Sequence, residues 1–144
     1  MKIKVINGPN LNLLEFRDKI YGNKSLEEIQ EDTNKKLEGK VKIEWFQSNS
    51  ESEIINEIQL LVNGQFEGLV INPAGYSHTS VSIRDALELV NIPVFEVHLT
   101  NTHSREDFRA TMLTAGGANF IMGGLGFKTY YWACEMLFEM QRNS

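Results

Sequence analysis

The stretch 68–80, GLVINPAGYSHTS, places a short apolar, β-branched run directly before a proline and a polar turn. The run 68–72 has the length and composition of a buried strand. Pro73 lacks a backbone N–H, so it fits the end of a strand better than its interior. An amphipathic segment, 79–90, follows the turn. This stretch therefore predicts one strand–turn–helix unit.

The same alternation extends over the whole chain of 144 residues. The predicted strands are 3–7, 41–47, 68–72, 93–98 and 119–122, and the predicted helices are 25–38, 51–63, 79–90, 104–111 and 127–141. Ser25 followed by Glu28 fits a capping box at the start of the first helix. Alternating strands and helices indicate an α/β fold with a parallel sheet covered on both faces. We expect residues 1–144 to form a single domain, a flavodoxin-like doubly wound five-stranded sheet in three α/β/α layers.

The composition is that of an ordinary globular protein, 42% hydrophobic and 23% charged, which excludes disordered and collagen-like chains. The net charge of −5 argues against nucleic acid or an anionic membrane as a partner. Cys134 is the one cysteine, so no intrachain disulfide can form and a reducing compartment is expected. The apolar run at the beginning is too short for a signal peptide or a membrane span, and we expect a cytoplasmic protein.

Polar side chains follow three of the predicted strands at the point where each strand ends. They are Asn7, Asn10 and Asn12 after the first strand, Asn72, Tyr76, His78 and Thr79 after the third, and His98, Thr100, Asn101, Arg105 and Arg109 after the fourth. Ligands of open parallel sheets bind beyond the carboxyl ends of the strands, near the topological switch point. The pattern therefore predicts a polar site at this edge.

Several of these residues also have a structural interpretation. Asn7 and Asn12 could be turn residues, and His78 and Thr79 could begin the next helix. His103 could simply be exposed.

Glu96 lies two residues before His98, so both side chains point to the same side of the strand. The carboxylate could orient the imidazole or pair with an arginine.

Arg105 and Arg109 are four residues apart, which places both on one face of the predicted helix 104–111. That geometry disfavours pairing with Glu106 or Asp107. A ligand anion or another loop is the expected partner of these two arginines.

Two further segments have open interpretations. The segment 14–22 is a loop long enough to act as a lid, although its Arg17 and Tyr21 would by default be a solvated arginine and a packing tyrosine. The last helix is apolar over much of its circumference, which fits either a core helix or one that packs on another subunit.

Signals for metal or nucleotide binding are weak. The sequence contains no HExxH, CxxC or Walker A motif, and GGLG at 123–126 is not GxGxxG. A catalytic serine or cysteine would lack its usual elbow or partner. Acid–base chemistry on a small polar molecule, without a cofactor, is the class that remains. A flavin-carrying or signal-receiving module is the alternative, although a receiver needs aspartates where this chain has asparagines after the first strand.

Four blocks of sequence resemble type II 3-dehydroquinate dehydratase, in order and over essentially the whole chain. They are INGPNLNLL at 6–14, Arg17 with Tyr21-Gly22, INPAGYSHTSVSIRDAL at 71–87 and IPVFEVHLTNTHSREDFR at 92–109. The resemblance implies a flavodoxin-like homododecamer of four trimers. It also implies a hydro-lyase of the shikimate or quinate pathway, which converts 3-dehydroquinate to 3-dehydroshikimate by anti elimination through an enolate. No metal, cofactor or Schiff base is implied.

The resemblance also implies roles for individual residues. Tyr21 corresponds to the base, Arg17 to the group that stabilises its charged form, His98 to the acid, Glu96 to the group that orients it, and Asn10 to the residue that positions a water at the enolate oxygen. The implied substrate-binding residues are Asn72, His78, Leu99, Thr100, Arg105 and Arg109, with Asp85 reaching the site from a neighbouring subunit.

A tyrosine base near neutral pH requires nearby positive charge. The ordinary pKa of a tyrosine is near 10, so the required shift is about 3 units, or about 4 kcal/mol. One or two close guanidinium groups are of that order. Arg17 and Arg105 are the candidates.

The chain departs from the family pattern in three places, one of which is Ser50-Glu51-Ser52 where many members have His-Glu-Gly. The lid usually contains a glycine and then Arg-Glu-Pro, whereas residues 15–19 read EFRDK and are one residue shorter. Ala110-Thr111-Met112 replaces the usual His-Ser-Tyr. An inactive homologue is therefore a further alternative.

Overall fold

The computed structural model describes residues 1–17 and 19–144, in which five strands form one sheet and four α-helices cover it. The strands are β1 Lys2–Asn7, β2 Lys42–Gln47, β3 Gly68–Asn72, β4 Val94–His98 and β5 Phe120–Gly123. The helices are α1 Leu26–Lys36, α2 Glu51–Gln59, α3 Val81–Leu87 and α4 Lys128–Arg142. Asp18, which belongs to the predicted lid 14–22, lies outside the described residues. No helix of the described chain is long and apolar enough to cross a membrane.

All the strand pairs of the sheet are parallel, and the strand order is β2-β1-β3-β4-β5. The chain winds outward in one direction from β1 to β2 and in the other from β3 to β5, so the switch point lies between β1 and β3. The register pairs Asn7 with Asn72, the last residues of these two strands. The predicted doubly wound, flavodoxin-like α/β fold is confirmed.

A hydrophobic core lies on each face of the sheet. On one face, β1 packs against α1 and α4 through residues such as Ile29, Tyr130 and Leu137, all fully buried. On the other face, α2 and α3 contribute Ile54, Ile58, Ile83, Ala86 and Leu87. The three predicted layers are therefore present.

Only one side of the apolar last helix, α4, packs in the hydrophobic core. Tyr130, Cys134 and Leu137 are buried, and burial raises the pKa of the Cys134 thiol to about 12. Trp132 and Met136 remain 47% exposed on the other side. The structure thus confirms the core role of this helix and leaves a second apolar strip on its surface.

Three of the helices begin with a serine that accepts a backbone hydrogen bond. Ser25 accepts from Glu28 at 3.2 Å, Ser50 from Glu53 at 3.4 Å and Ser80 from Ile83 at 2.9 Å. Such caps satisfy one of the unpaired N–H groups in the first turn. The cap at Ser25 is the one that the sequence predicted.

The predicted helix 104–111 is wrong. This segment contains two short 3-10 helices, Thr102–Ser104 and Asp107–Ala110, separated by extended backbone at Arg105 and Glu106. Asn101 accepts from the backbone N–H of His103, and the Ser104 hydroxyl donates to the Asn101 carbonyl. These local side-chain bonds compete with helical hydrogen bonding.

Helices α2 and α3 also end earlier than the sequence predicts. The backbone N–H groups of Leu61 and Val62 bond three residues back, as do those of Leu89 and Val90. The last predicted turns are therefore 3-10 turns.

Lys4 is an unusual residue for β1, an interior strand of the sheet, because its side chain is only 5% exposed. Its ammonium lies 2.6 Å from a Glu44 oxygen and 2.8 Å from a Glu57 oxygen. Burial acts to lower the pKa of Lys4, but the hydrogen bonds and charges of Glu44 and Glu57 outweigh it, and the pKa is raised. The pKa of Glu44 is correspondingly lowered by its hydrogen bond to Lys4.

We predict that Lys4→Met lowers the free energy of unfolding by about 1–2 kcal/mol, because it removes the ammonium that separates two carboxylates. The pKa of Lys4 is raised in the folded protein. Its contribution to the free energy of unfolding is therefore complete below pH 10.5, the ordinary pKa, and becomes smaller as the pH rises above that value. The pKa of Glu44 is lowered in the folded protein. Its contribution to the free energy of unfolding is therefore complete above pH 4.5, the ordinary pKa, and is lost as the pH falls through the lower pKa of the folded protein. Urea unfolding at several pH values measures both effects.

Lys42→Met, at an exposed lysine of β2, is the matched control and should change stability by less than about 0.5 kcal/mol. Equal effects of the two variants would contradict the prediction.

Candidate functional site

A cavity of about 150 Å³ lies beyond the carboxyl ends of β1, β3 and β4. The resemblance implies a role for twelve residues, and ten of them line this cavity, namely Asn10, Arg17, Tyr21, Asn72, His78, His98, Leu99, Thr100, Arg105 and Arg109. Pockets for drug-sized ligands are usually about 300–1,000 Å³. The size of this cavity therefore suits a small polar molecule.

The wall of this cavity is positively charged. Arg17, Arg105 and Arg109 all line it, and no acidic residue is among the described lining residues. Eleven of the 19 acidic residues of the chain lie between Glu15 and Glu57, away from the segment that carries Arg105 and Arg109. Local charge therefore favours an anionic ligand in spite of the net charge of −5.

The Tyr21 hydroxyl lies between two guanidinium groups. Arg17 donates to it at 3.1 Å, and Arg105 donates to it from a segment 84 residues away. Both arginines also contact the ring, with guanidinium carbons 4.3 Å and 5.1 Å from its centroid. Tyr21 is only 8% exposed, so little water screens these charges. Both guanidinium groups therefore donate to the same phenol oxygen.

Glu96 and His98 are neighbours on the same face of β4, as their spacing predicts. The Nε2 atom of His98 lies 2.8 Å from Glu96 Oε2, and Glu96 is fully buried. A carboxylate accepts hydrogen bonds, so Nε2 carries the hydrogen of this pair. Of the two partners expected for Glu96, the imidazole of His98 is the one that the structure places within hydrogen-bond distance.

A second buried network fixes the amide of Asn72. Asn72 Nδ2 donates to the Tyr130 hydroxyl at 3.0 Å, and that hydroxyl donates to Asn7 Oδ1 at 2.5 Å. Burial raises the pKa of Tyr130, so its oxygen remains a neutral hydroxyl that can donate. The amide oxygen of Asn72, Oδ1, accepts a hydrogen bond from the backbone N–H of Ala74 at 3.1 Å. Asn7 is thus a buried network residue rather than a turn residue.

Two positions on the cavity wall have a left-handed backbone, and that of Ala74 is strained because alanine rarely adopts it. Asn10 has a φ of 70° and Ala74 a φ of 53°, in the left-handed region that L-residues other than Asn and Asp rarely adopt. Asn49 Oδ1 accepts from the backbone N–H of Asn10 at 3.0 Å. Such strain is often found at ligand sites because the surrounding structure enforces it.

Arg109 and His78 lie at the part of the cavity formed by the segment after β4. His78 Nδ1 lies 2.8 Å from the Thr111 carbonyl, so Nδ1 carries a hydrogen. Arg109 donates to Glu106 Oε2 at 3.0 Å, and Arg105 lies 3.7 Å from the other oxygen. The hydrogen bond from Arg109 holds the pKa of Glu106 below its usual range.

The sequence argument against pairing with Glu106 is therefore wrong. It assumed a regular helix over 104–111. The extended backbone at Arg105 and Glu106 instead brings the Glu106 carboxylate back towards both arginines.

Two predicted site residues do not line the cavity. Glu96 lies behind His98 and contacts the site only through it. Asp85 is exposed on α3 and lies outside the cavity wall of its own chain. His103 is exposed, as expected. Within the described ranges, no cluster of three or more His, Cys, Asp and Glu side chains could bind a metal ion.

Sequence reasoning missed several residues of the site. Leu11, Ala74, Gly75 and Thr102 complete the cavity wall, and Ser77 and Thr114 contact Glu96 from behind. Ser77 could have been found from its position beside His78. Thr114 carries no local signal, because it lies 16 residues beyond His98 in a turn of its own.

The sequence and the fold of this chain are similar to those of known proteins. A family model described as dehydroquinase class II matches residues 1–138. A 3-dehydroquinate dehydratase of Aliarcobacter butzleri is 46% identical over 142 residues, 97% of this chain and 86% of the relative. That of Clostridium beijerinckii is 48% identical over 148 aligned positions, 100% of this chain and 99% of the relative.

A solved structure has the same architecture. The type II dehydroquinase from Butyrivibrio crossotus superposes with a TM-score of 0.92 at 44% identity, over 95% of this chain and 97% of that one. Fold and sequence agree, and the chain belongs to the class II dehydroquinase family.

Proposed function

We propose that this chain dehydrates 3-dehydroquinate to 3-dehydroshikimate by anti elimination of water through an enolate, as a step of the shikimate or quinate pathway. The observation that carries the proposal is the Tyr21 hydroxyl between Arg17 and Arg105, in a cavity that His98 also lines. A tyrosine with two cationic partners is suited to act as a base, and the imidazole as an acid. Membership of the family supports the choice of substrate.

Tyr21 starts the reaction as a phenolate stabilised by the two guanidinium groups. Its oxygen takes a proton from the carbon next to the substrate ketone. The electron pair of that C–H bond forms a carbon–carbon double bond, and the carbonyl oxygen becomes the enolate oxygen. Asn10 positions a water that donates to this oxygen. Arg17 lies close enough to Tyr21 to stabilise the developing charge during the transfer.

His98 completes the elimination. The enolate re-forms the ketone, the new double bond forms beside it, and the carbon–oxygen bond of the leaving hydroxyl breaks. Protonated His98 gives its proton to that hydroxyl, which leaves as water. Glu96 keeps the imidazole in the orientation that this transfer requires. Proton exchange with solvent then restores Tyr21 and His98.

The remaining residues of the cavity bind the substrate. Arg109 pairs with the substrate carboxylate, which competes with Glu106 for the same guanidinium. Asn72, His78, Leu99 and Thr100 bind and orient the ring and its hydroxyls. The networks behind Asn72 and His78 orient their polar groups before substrate arrives, which lowers the entropic cost of binding.

The active form in this proposal is a homododecamer of four trimers, made of one catalytic domain per chain and located in the cytoplasm. Asp85 acts on the cavity of a neighbouring subunit, which agrees with its exposure on α3 and its absence from the described wall of its own cavity.

An assay of the purified protein tests the reaction. Addition of 3-dehydroquinate should give a rise in enone absorbance, since the product carries a carbon–carbon double bond conjugated to its ketone. Borohydride in the presence of substrate should neither inactivate the protein nor increase its mass, because no Schiff base forms. Absence of an enone signal would refute the function, and a borohydride adduct would refute the mechanism.

Tyr21→Phe should lower kcat by about 10³-fold, because the base is removed while the ring and its packing remain. Binding of a substrate analogue, measured by calorimetry, should change little. Tyr131→Phe is the matched control, since this partly buried tyrosine of α4 lies outside the cavity, and it should retain full activity. Turnover by Tyr21→Phe at more than about a tenth of the original rate would exclude Tyr21 as the base.

Asp85→Ala and His98→Ala chains should complement one another when they are coexpressed with different tags and purified as mixed assemblies. A site with His98 from one chain and Asp85 from its neighbour would be complete, so activity should exceed that of either variant alone. Light scattering should give a mass about twelve times 16.4 kDa. No recovery of activity in mixed assemblies would contradict the role of Asp85 across subunits.

A further inference from the structure

The carboxylate of Glu96 is surrounded by three hydrogen-bond donors. Ser77 Oγ lies 3.0 Å and His98 Nε2 2.8 Å from Glu96 Oε2, and Thr114 Oγ1 donates to Oε1. Ser77, Thr114 and Glu96 are fully buried, and His98 is 7% exposed. Both oxygens are therefore satisfied inside the protein.

These donors determine what Glu96 can do for His98. A buried carboxylate is costly unless donors surround it, and a hydroxyl can rotate its hydrogen towards whichever acceptor is present. With Ser77 and Thr114 donating, the carboxylate remains an acceptor and directs the Nε2 hydrogen of His98 towards itself. The other ring nitrogen, Nδ1, is then left for the substrate. Ser77 Oγ also lies 3.5 Å from His98 Nε2, so it borders the imidazole directly.

The position of Thr114 is set by close packing of its turn on α3. Thr114 begins the 3-10 helix Thr114–Gly117. A Cβ at Gly117 would lie 2.7 Å from the backbone oxygen of Arg84 and 2.9 Å from Leu87 Cβ, so a larger residue would push the turn away. Neither Thr114 nor Ser77 lines the cavity, which separates both from direct contact with substrate.

We propose that Thr114 and Ser77 are positioning residues for the reaction, which act through Glu96 to fix the tautomer and orientation of His98. This inference rests on the proposed function, because it assigns the two hydroxyls to the acid of that reaction. Loss of the Thr114 hydroxyl would leave Glu96 Oε1 without its partner. The carboxylate could then rotate, and the imidazole would lose its single orientation.

The test compares Thr114→Val, which keeps the shape of the side chain and removes the hydroxyl, with Thr114→Ser, which keeps the hydroxyl. Thr114→Val should lower kcat about tenfold or more with KM changed less than about twofold, and Thr114→Ser should restore kcat to within about threefold. Thr129→Val is the matched control. Thr129 is also fully buried and donates to a backbone carbonyl at 2.8 Å, but it does not contact Glu96. It should lower stability and leave kcat unchanged.

A second measurement does not depend on turnover. Nitrogen NMR of ¹⁵N-histidine-labelled protein, recorded at a pH at which the imidazole is neutral and with the His98 signals identified by their loss in His98→Gln, should show the Nε2–H tautomer in the unmodified chain and a smaller fraction of it in Thr114→Val. Ser77→Ala should act in the same direction and serves if Thr114→Val does not fold.

Two outcomes would overturn the inference. One is an unchanged kcat and tautomer in Thr114→Val or Ser77→Ala, and the other is an equal loss of kcat in Thr129→Val. A protein without dehydratase activity would refute the proposed function, and the NMR comparison would still decide whether the two hydroxyls position His98.

Discussion

The parallel pairing of β1, β3 and β4 is the constraint on which the candidate site depends. Because the strands run in one direction, their carboxyl ends reach the same edge of the sheet. The register aligns Asn7 with Asn72 and Ile71 with Glu96, so the residues that follow each strand start from neighbouring points. Side chains from segments that are distant in sequence then converge on one small cavity.

Two buried polar networks lie directly behind the cavity wall. Tyr130 connects the two strand-end asparagines, and Glu96 connects β4 with the turns that carry Ser77 and Thr114. Buried polar groups of this kind are costly unless they are fully bonded. When they are bonded, they restrict the orientation of the groups that face the ligand, which is what a catalytic site needs.

The fold was predictable because its signals are local. Short β-branched runs, the proline after β3 and the serine caps each act over a few residues, and their alternation is enough to indicate a doubly wound sheet. The helix predicted over 104–111 failed for a related reason. Its spacing of charged and apolar residues looks helical, but side-chain bonds from Asn101 and Ser104 to the backbone divide it into two short turns.

Much of the cavity wall could also be read from the sequence, since residues after parallel strands face one edge. The sequence made Arg17 and Arg105 candidates for the cations beside Tyr21, but it could not show that both contact the hydroxyl, because Arg105 comes from a segment 84 residues away. The same holds for Tyr130, which is an apolar helix residue in the sequence and a hydrogen-bond bridge in the structure.

The sequence alone therefore determined the alternation of strands and helices along the chain, apart from the segment 104–111, the edge of the sheet that carries the polar residues, and the resemblance to a family of dehydratases. Only the tertiary structure decided which side chains touch. It brought two arginines to Tyr21, two hydroxyls to Glu96 and a carboxylate to Arg109. The physical reason is that periodicity and capping are short-range properties of the chain, whereas hydrogen bonds and charge pairs in a site join residues that only packing brings together.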